Sequence, residues 1–147
     1  MSESVPADWD NTISVAAATS RGRIGTEGGK APDLVIQGED MPVWGPDYAV
    51  GQARDARESG SSVATALASG MASLILMLAK QDDELKHHWE RLKGRDTMVE
   101  LFRRLHQSDG EEDRPNTVPA KTIYVYPNML FRLPKEELLR KIKKVVF

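Results

Sequence analysis

The sequence predicts an α/β fold, in which a region with strands and a long helix is followed by a mainly helical carboxyl-terminal extension. Two short apolar runs bounded by turn residues precede an uncharged run of helical length, the pattern expected of buried strands and a core helix. After residue 82 the pattern changes to charged segments with apolar residues at helical spacing. We therefore predict a sheet-containing region over residues 1–82 and a helical extension over residues 83–147.

The composition excludes several classes of function. The 147 residues include no cysteine, which rules out disulfides, zinc–thiolate sites and a thiol nucleophile. A net charge of −2 gives no reason to expect a nucleic acid as partner. The first fifteen residues lack the basic and apolar regions of a signal peptide, and with the absence of cysteine this favours an intracellular location. No cofactor is predicted.

The first two elements are predicted to be short buried strands. Residues 12–18 (TISVAAA) and Leu34–Ile36 are apolar runs that lie between turn residues. Residues 38–60 are rich in glycine, proline and charged side chains, so they are expected to form a long irregular surface loop. Asp33 and Asp40 are expected to be ordinary loop and turn residues.

The next element is a helix that is predicted to begin at Ser61. From Ser59 to Ala79 no residue is charged, a length that would also suit a membrane span. The first half of this run is rich in serine, threonine and glycine, however, and only Met71–Ala79 is strongly apolar. We therefore favour a fully buried core helix, capped by Ser61, over a membrane helix, and predict no membrane partner.

The extension is predicted to contain three helices and one strand. Residues 82–94 and 95–107 have the pattern of amphipathic helices, the second with Asp96 as its N-cap; residues 121–127 alternate like a strand, and residues 134–147 form a last helix. The extension could dock onto the first region or form a separate partner-binding module. Docking is favoured, because each helix has one apolar stripe and a segment of this size makes a marginal core alone.

The serine pair at the start of the long helix has two interpretations. Serine at a helix start is ordinarily a cap for the free backbone N–H groups. A nucleophilic serine needs an exposed hydroxyl, a base and oxyanion donors, and a helix N-terminus provides the first and part of the third. The strand-to-helix elbow of α/β-hydrolases is excluded, because charged residues rather than a buried strand precede Ser62.

Three segments in order favour the nucleophile interpretation. The run SGSSVATALASGMASLILMLA resembles the nucleophile segment of the subtilisin-like serine peptidases, G-T-S-x-A-S/T-P-x-V-A/S-G, followed by an apolar helix. Ala66 departs from the proline of that pattern and Leu67 from its usual residue. Upstream, NTISVAAATSRGRIG resembles the strand and turn of the family, and GGKAPDLVIQGEDM resembles its next strand, with Ile36 and Gln37 in place of Ala-Pro.

The resemblance implies the fold, the reaction and the site residues. The chain would be the carboxyl-terminal half of a three-layer, parallel-sheet subtilase domain, truncated before its first strands, and a serine-type endopeptidase by family. Ser62 takes the place of the nucleophile, while Gly60 and Ser61 take the places that lie against the oxyanion and the substrate backbone. The expected partner is a polypeptide substrate or the missing amino-terminal half of the domain.

The catalytic Asp and His of that family lie in motifs upstream of the serine, D-S/T-G and H-G-T, and neither motif occurs here. The three histidines, His87, His88 and His106, all follow Ser62. We therefore expect the isolated chain to lack significant peptidase activity, because a serine hydroxyl without its base is a poor nucleophile. The alternative is a catalytically dead, subtilase-derived binding or regulatory module.

Two further expectations concern the surroundings of this site. His87 and His88 are expected to be ordinary positions on a surface helix rather than an unorthodox base, and Glu84 with His88 makes too few ligands for a metal site. A sheet of which only half is present would expose a strand edge, so the isolated chain is expected to associate or to be poorly soluble.

Overall fold

The computed structural model describes residues 10–19, 23–24, 31–42, 57–106 and 122–147. Four short strands precede the long helix: β1 (Val15–Ala18), β2 (Leu34–Gln37), β3 (Met41–Pro42) and β4 (Arg57–Glu58). The helix α1 spans Ser61–Gln81. A 3-10 turn over Leu85–His88 and the helices α2 (Trp89–Leu92) and α3 (Arg95–His106) follow; after these come β5 (Ile123–Val125), α4 (Pro127–Arg132) and α5 (Lys135–Val146).

The main sheet has three parallel strands in the order β1–β2–β5. The central strand β2 places Leu34, Val35 and Ile36 in the core with no exposed surface. Such a continuous apolar run is typical of a parallel strand that is covered on both faces. The prediction of an α/β fold with a parallel sheet is confirmed.

The extension contributes to this sheet. Its strand β5 pairs with β2 in parallel, and the hydroxyl of Thr122 donates to Pro32 O at 2.8 Å. Its helices α3 and α5 bury their apolar stripes in the same core as α1 and β2. The extension therefore docks onto the first region, as its amphipathic stripes indicated, while the division at residue 82 stays a prediction.

The loop predicted over residues 38–60 is partly regular. Met41 pairs with Glu58 and Pro42 with Arg57 in a short antiparallel ladder, β3–β4. Residues 43–56 of this predicted loop lie outside the described residues. The ladder brings the segment that leaves β2 next to the segment that leads into α1, which the composition of the loop did not indicate.

The helix α1 is not fully buried, and that prediction was wrong. Its buried residues follow a 3–4 residue spacing along one face: Ala64, Ala68, Met71, Ile75 and Ala79. The opposite face is exposed, and on it Met77 keeps 49% of its surface accessible. By length and composition α1 is the one helix among the described residues that could cross a membrane, and 28% of its most apolar window is buried inside the protein. The helix nevertheless packs against β1 and β2 along its buried face.

Local details of the extension differ from prediction. The single helix expected over residues 82–94 is replaced by the 3-10 turn and the four-residue α2. Asp82 initiates this turn, because its Oδ1 accepts hydrogen bonds from the amides of Glu84 and Leu85. Asp96 lies inside the first turn of α3 rather than at its N-cap. The short helix α4 begins at Pro127, which was expected only to end a strand; a proline is well suited to the first turn of a helix.

One edge of the sheet is almost bare in the described part of the chain. On the side of β1 away from β2, the structure shows only the isolated antiparallel bridge between Ala18 and Ile24. Unpaired edges of this kind offer backbone N–H and C=O groups to a further strand. The expected association of the isolated chain stays a prediction.

Candidate active site

The first turn of α1 places both serines of the GSS segment at the surface. Ser61 and Ser62 are the first two residues of the helix, and both are exposed. Gly60 occupies the N-cap position, with φ 137° and ψ 171°. Ser61 therefore does not cap the helix as predicted, and no side chain bonds the first-turn amides.

The backbone conformation at position 60 favours glycine. A φ of +137° lies in a region that residues with a side chain rarely adopt. A Cβ on Gly60 would make an ordinary van der Waals contact with Ser62 Oγ at 3.7 Å, so the backbone conformation, and not a lack of space, restricts this position.

The helix tip offers free hydrogen-bond donors beside the hydroxyl. The carbonyl of Gly60 accepts from the amides of Val63 at 3.1 Å and Ala64 at 3.3 Å. The amides of Ser61 and Ser62 have no acceptor among the described residues. With no acidic side chain in the first turn, the positive end of the helix dipole is also uncompensated there. This arrangement favours developing negative charge next to Ser62 Oγ.

The carboxyl ends of the parallel strands hold the helix tip in place. The amide of Gly38, directly after β2, donates to Ala18 O at 3.0 Å, and Gly38 O accepts from the amide of Gly60 at 2.8 Å. The tip of α1 therefore lies at the edge of the sheet where open α/β folds bind their ligands. We did not single out Gly38 from the sequence, although a glycine immediately after a buried strand is a signal of close backbone approach.

Gly38 leaves no room for a side chain. A Cβ at this position would lie 2.9 Å from Gly60 O and 3.0 Å from the Cβ atoms of Ala17 and Ala64. These neighbours belong to the helix cap, to β1 and to α1, so Gly38 sets how closely the helix tip approaches the sheet.

The structure does not bring a histidine to Ser62. His87 and His88 follow the opposite end of α1, which at 1.5 Å per residue is about 30 Å long. His88 packs edge-on against Phe147, with ring centroids 4.8 Å apart. Among the described residues, no side chain forms a hydrogen bond with Ser62 Oγ. A base for this serine is thus not supplied by the part of the chain that the structure describes.

His106 has partners of its own. Its Nδ1 lies 2.8 Å from Phe102 O and its Nε2 lies 3.3 Å from Tyr126 O, so both ring nitrogens face backbone carbonyls. Burial lowers the pKa of His106, and it outweighs the two carbonyl contacts, which favour the charged ring. A neutral ring can donate to only one of the two carbonyls.

At the amino ends of the strands lies a cluster of polar side chains around Asp33, which was expected to be an ordinary turn residue. Asp33 Oδ2 accepts from the amide of Ser14 at 2.9 Å and from its hydroxyl at 3.0 Å. Arg95 donates to Asp33 Oδ1 and to Thr12 O, both at 2.7 Å. Burial alone would raise the pKa of Asp33, but the hydrogen bonds from Ser14 and Arg95 outweigh it, and the pKa is lowered.

The acidic residues near the histidines have ordinary partners as well. Lys143 pairs with Asp82 at 3.2 Å and with Glu84 at 3.1 Å, so the Glu84 carboxylate already has a cationic partner. Within the described residues, no group of three or more histidine or carboxylate side chains is arranged to hold a metal ion.

Comparison with known proteins agrees with this geometry. The model of the Subtilase family matches residues 1–112, which is 112 of the 147 residues and includes the strands β1 and β2, the serine turn and α1. The curated proteins and the solved structures gave no match. Membership of a serine peptidase family agrees with an exposed serine at a helix tip on the carboxyl edge of a parallel sheet. The chain belongs to the subtilase family.

Proposed function

We propose that Ser62 is the acyl-forming nucleophile of a serine-type endopeptidase site that a second polypeptide segment completes. The observation that supports this most is the exposed Ser62 hydroxyl beside unpaired amides at the tip of α1, in a chain of the subtilase family. Free donors at a helix tip stabilise developing negative charge, and the carboxyl edge of the sheet is the usual place for a ligand.

The chemistry begins with attack of Ser62 Oγ on the carbonyl carbon of the scissile peptide bond. The hydroxyl proton passes to a base, and the carbonyl oxygen becomes an oxyanion that accepts from the backbone N–H of Ser62. Collapse of this tetrahedral intermediate breaks the C–N bond, and the leaving amine takes the proton from the base. Water then hydrolyses the acyl-serine by the same steps. Gly60 and Ser61 present the backbone against which the substrate chain lies.

The base is the group that this part of the chain does not provide. By resemblance, a histidine oriented by an aspartate would deprotonate Ser62, and the H-G-T and D-S/T-G motifs that carry them in the family do not occur in this sequence. The isolated chain is therefore expected to be inactive, since loss of one member of a triad lowers the rate by orders of magnitude. A polypeptide substrate remains the expected ligand of the completed site.

Covalent labelling by a fluorophosphonate tests the assignment. The purified chain is incubated with the probe alone, with imidazole as an external base, and with an amino-terminal subtilase segment that carries the D-S/T-G and H-G-T motifs. We expect labelling only when a base is supplied, with the adduct mapped to Ser62 by mass spectrometry.

The Ser62→Ala variant should then lose the label, whereas Ser69→Ala should keep it, because Ser69 lies two turns further along α1 and its hydroxyl already donates to Thr65 O. Labelling of the chain alone would overturn the expected inactivity. An adduct on another serine in the presence of base would contradict the assignment of Ser62.

A second candidate function is a catalytically dead module that binds a partner through this edge. It is favoured by one observation, the absence of any hydrogen-bonding side chain at Ser62 Oγ among the described residues. If neither imidazole nor the amino-terminal segment produces an adduct, while that segment still binds the chain in a pull-down, this function replaces the enzymatic one.

A further inference from the structure

We propose that Asp40, Arg57 and Ser59 act as positioning residues that hold the Gly60–Ser62 turn against the end of β2. This inference rests on the proposed role of Ser62 and adds the device that would orient its hydroxyl. We call the three residues the turn clamp. None of them belongs to the segments in which the sequence predicted regular structure, and Asp40 was expected to be a simple turn residue.

The turn clamp joins the exit of β2 to the entrance of α1 by direct hydrogen bonds. The amide of Asp40 donates to Ser59 Oγ at 2.9 Å. The guanidinium of Arg57 donates through Nη1 to Asp40 O at 2.7 Å, and the same nitrogen lies 3.0 Å from Asp40 Oδ2. Together these contacts tie Asp40 to Arg57 and Ser59, in the segment that immediately precedes Gly60.

The backbone around the clamp is built to bring these groups together. Asp40 adopts φ 55°, a left-handed conformation that aspartate tolerates better than most residues. This turn sends the chain into β3, which pairs with β4 so that Pro42 lies opposite Arg57 and Met41 opposite Glu58. The ladder and the clamp thus form one short connection beside the helix tip.

The clamp complements a second anchor on the other side of the turn. Gly60 is bonded through its amide to Gly38 O at 2.8 Å, and Gly38 and Asp40 are separated by one residue. The two ends of the 38–40 segment therefore bond two adjacent residues, Asp40 to Ser59 and Gly38 to Gly60. Ser62 lies two residues further, where a small displacement of the turn moves Oγ directly. Displacement of a reacting atom by about 1 Å lowers catalytic rates about a hundredfold, so such a double anchor matters for chemistry.

Energetics indicate that this clamp orients the turn more than it stabilises the fold. The side chains of Arg57 and Asp40 are 54% and 74% exposed, and ion pairs this exposed contribute little to stability. Asp40, Arg57 and Ser59 are all exposed, and none of them is a member of the buried cluster around β2 and α1. Removing the clamp side chains should therefore increase the mobility of the Gly60–Ser62 turn and leave the core intact. Residues that stabilised the whole fold would instead weaken the core as well.

Amide hydrogen exchange measured by NMR on the full chain tests this expectation. In Arg57→Ala and in Ser59→Ala, the Gly60 amide should exchange about fivefold faster, the factor that corresponds to one hydrogen bond of ordinary net strength. The amides of Val35 and Ile75, in the centre of β2 and α1, should exchange as in the unmodified chain. The Ser62 amide resonance should shift in both variants.

Two matched variants keep the test sharp. Arg57→Lys retains a cation that can reach Asp40 and should recover part of the Gly60 protection. Ser73→Ala removes another exposed hydroxyl of α1, three turns from the clamp, and should change neither Gly60 nor Ser62. Unchanged exchange at Gly60 in both clamp variants would overturn the proposal, and so would an equal acceleration at Gly60, Val35 and Ile75.

The exchange experiment does not depend on catalysis, so the two proposals can fail separately. Selective loss of Gly60 protection without any Ser62 adduct in the presence of base supports the clamp as a positioning element for the turn and contradicts the nucleophile assignment. A Ser62 adduct together with unchanged exchange at Gly60 in the clamp variants contradicts the clamp and leaves the nucleophile assignment standing.

Discussion

The amino ends and the carboxyl ends of the three parallel strands, called here the amino edge and the carboxyl edge, differ in how their polar groups are used. At the amino edge, Asp33, Ser14 and Arg95 satisfy one another in a closed cluster that ties α3 to the starts of β1 and β2. At the carboxyl edge, the tip of α1 presents an exposed Ser62 and two amides that have no acceptor within the part of the chain that the structure describes. Paired groups stabilise a fold, whereas unpaired donors at a rigid edge are available to a ligand.

The difference teaches where to look for function in this chain. Asp33 and Ser62 are both polar residues at the ends of core elements, and neither residue type alone distinguishes stability from chemistry. The Asp33 carboxylate accepts three hydrogen bonds, two from Ser14 and one from Arg95. Ser62 has none among the described residues, while the turn before it is fixed by the hydrogen bond from the Gly60 amide to Gly38 O. A rigid backbone beneath a free side chain is the combination that a catalytic edge requires.

The largest expected effect on stability comes from Gly38, which lets the tip of α1 pack closely against the carboxyl end of β2. In Gly38→Ala, the new Cβ would clash with Gly60 O and with the Cβ atoms of Ala17 and Ala64, so the tip of α1 must move. We expect the free energy of unfolding to fall by about 3 kcal/mol, the upper range for overpacking in a dense core. Urea unfolding followed by circular dichroism measures it.

Gly70→Ala is the matched control for this variant. Gly70 lies exposed in the middle of α1, and a Cβ there would meet nothing within 4 Å. Alanine should therefore stabilise the helix by about 0.5–1 kcal/mol. If Gly38→Ala lowers the free energy of unfolding no more than Gly70→Ala does, the close packing of the helix tip against β2 is contradicted.

The next effect concerns the closed edge. Arg95→Ala removes the donor to Asp33 and to Thr12 O, in a site where the Arg95 and Asp33 side chains are only 26% and 24% exposed. The free energy of unfolding should fall by about 2 kcal/mol, as expected for charge-assisted hydrogen bonds that are partly buried. Chemical denaturation near neutral pH checks the value.

An exposed arginine of α5 provides the control for this prediction. Arg140 is 60% exposed and its nearest pairing, to Glu137, is long at 3.7 Å. Arg140→Ala should change stability by less than about 0.5 kcal/mol. If Arg95→Ala and Arg140→Ala change the free energy of unfolding equally, the hydrogen bonds from Arg95 to Asp33 and Thr12 do not stabilise the amino edge.

How far the sequence predicts these edges depends on the range of the interactions. The buried strand at Leu34–Ile36 and the start of α1 at Ser61 follow from local apolar patterning and from turn residues, and both are confirmed. The pairing of Asp33 with Arg95 joins residues 62 positions apart, and no local pattern indicates it. The capping role assigned to Ser61 failed because Gly60, with its positive φ, already occupies the N-cap.

The site itself was predictable only in part, for a similar physical reason. Three short segments in the correct order indicated the family and the serine, because the backbone at a nucleophile restricts residue types locally. The close packing at Gly38 and the turn clamp depend on which strands and turns lie next to one another in the folded chain. Exposure along α1 could not be predicted either, because serine, alanine and glycine fit a buried or an exposed face equally well.

A smaller effect is expected at the carboxyl end of β5, where His106 Nε2 lies 3.3 Å from Tyr126 O. The pKa of His106 is lowered below 6.5 by burial, and Lys141, whose ammonium donates to Arg104 O, also disfavours the charged ring. Below pH 6.5 the unfolded chain takes up a proton that the folded chain resists, so the free energy of unfolding decreases as pH falls from 6.5 to the folded pKa.

The slope contributed by one histidine cannot exceed about 1.4 kcal/mol per pH unit. His106→Gln should flatten the dependence of stability on pH below 6.5, because it removes the group whose pKa differs between the folded and unfolded chains. Denaturation midpoints of the variant and of the unmodified chain, measured across this interval, test it. A steeper decrease in His106→Gln would mean that the folded protein favours the charged ring.

The smallest effect tests the open edge directly. No acidic residue lies in the first turn of α1, so its dipole and the free amides of Ser61 and Ser62 are uncompensated. Ser61→Asp should raise the free energy of unfolding by about 0.5 kcal/mol at low salt, while Ser73→Asp, in the middle of the helix, should not. The same carboxylate would compete with an oxyanion for these amides, so Ser61→Asp should also slow base-assisted labelling of Ser62. A variant that is more stable but less reactive would show that the carboxyl edge leaves its donors unpaired for a ligand, and a gain in both properties would contradict that view.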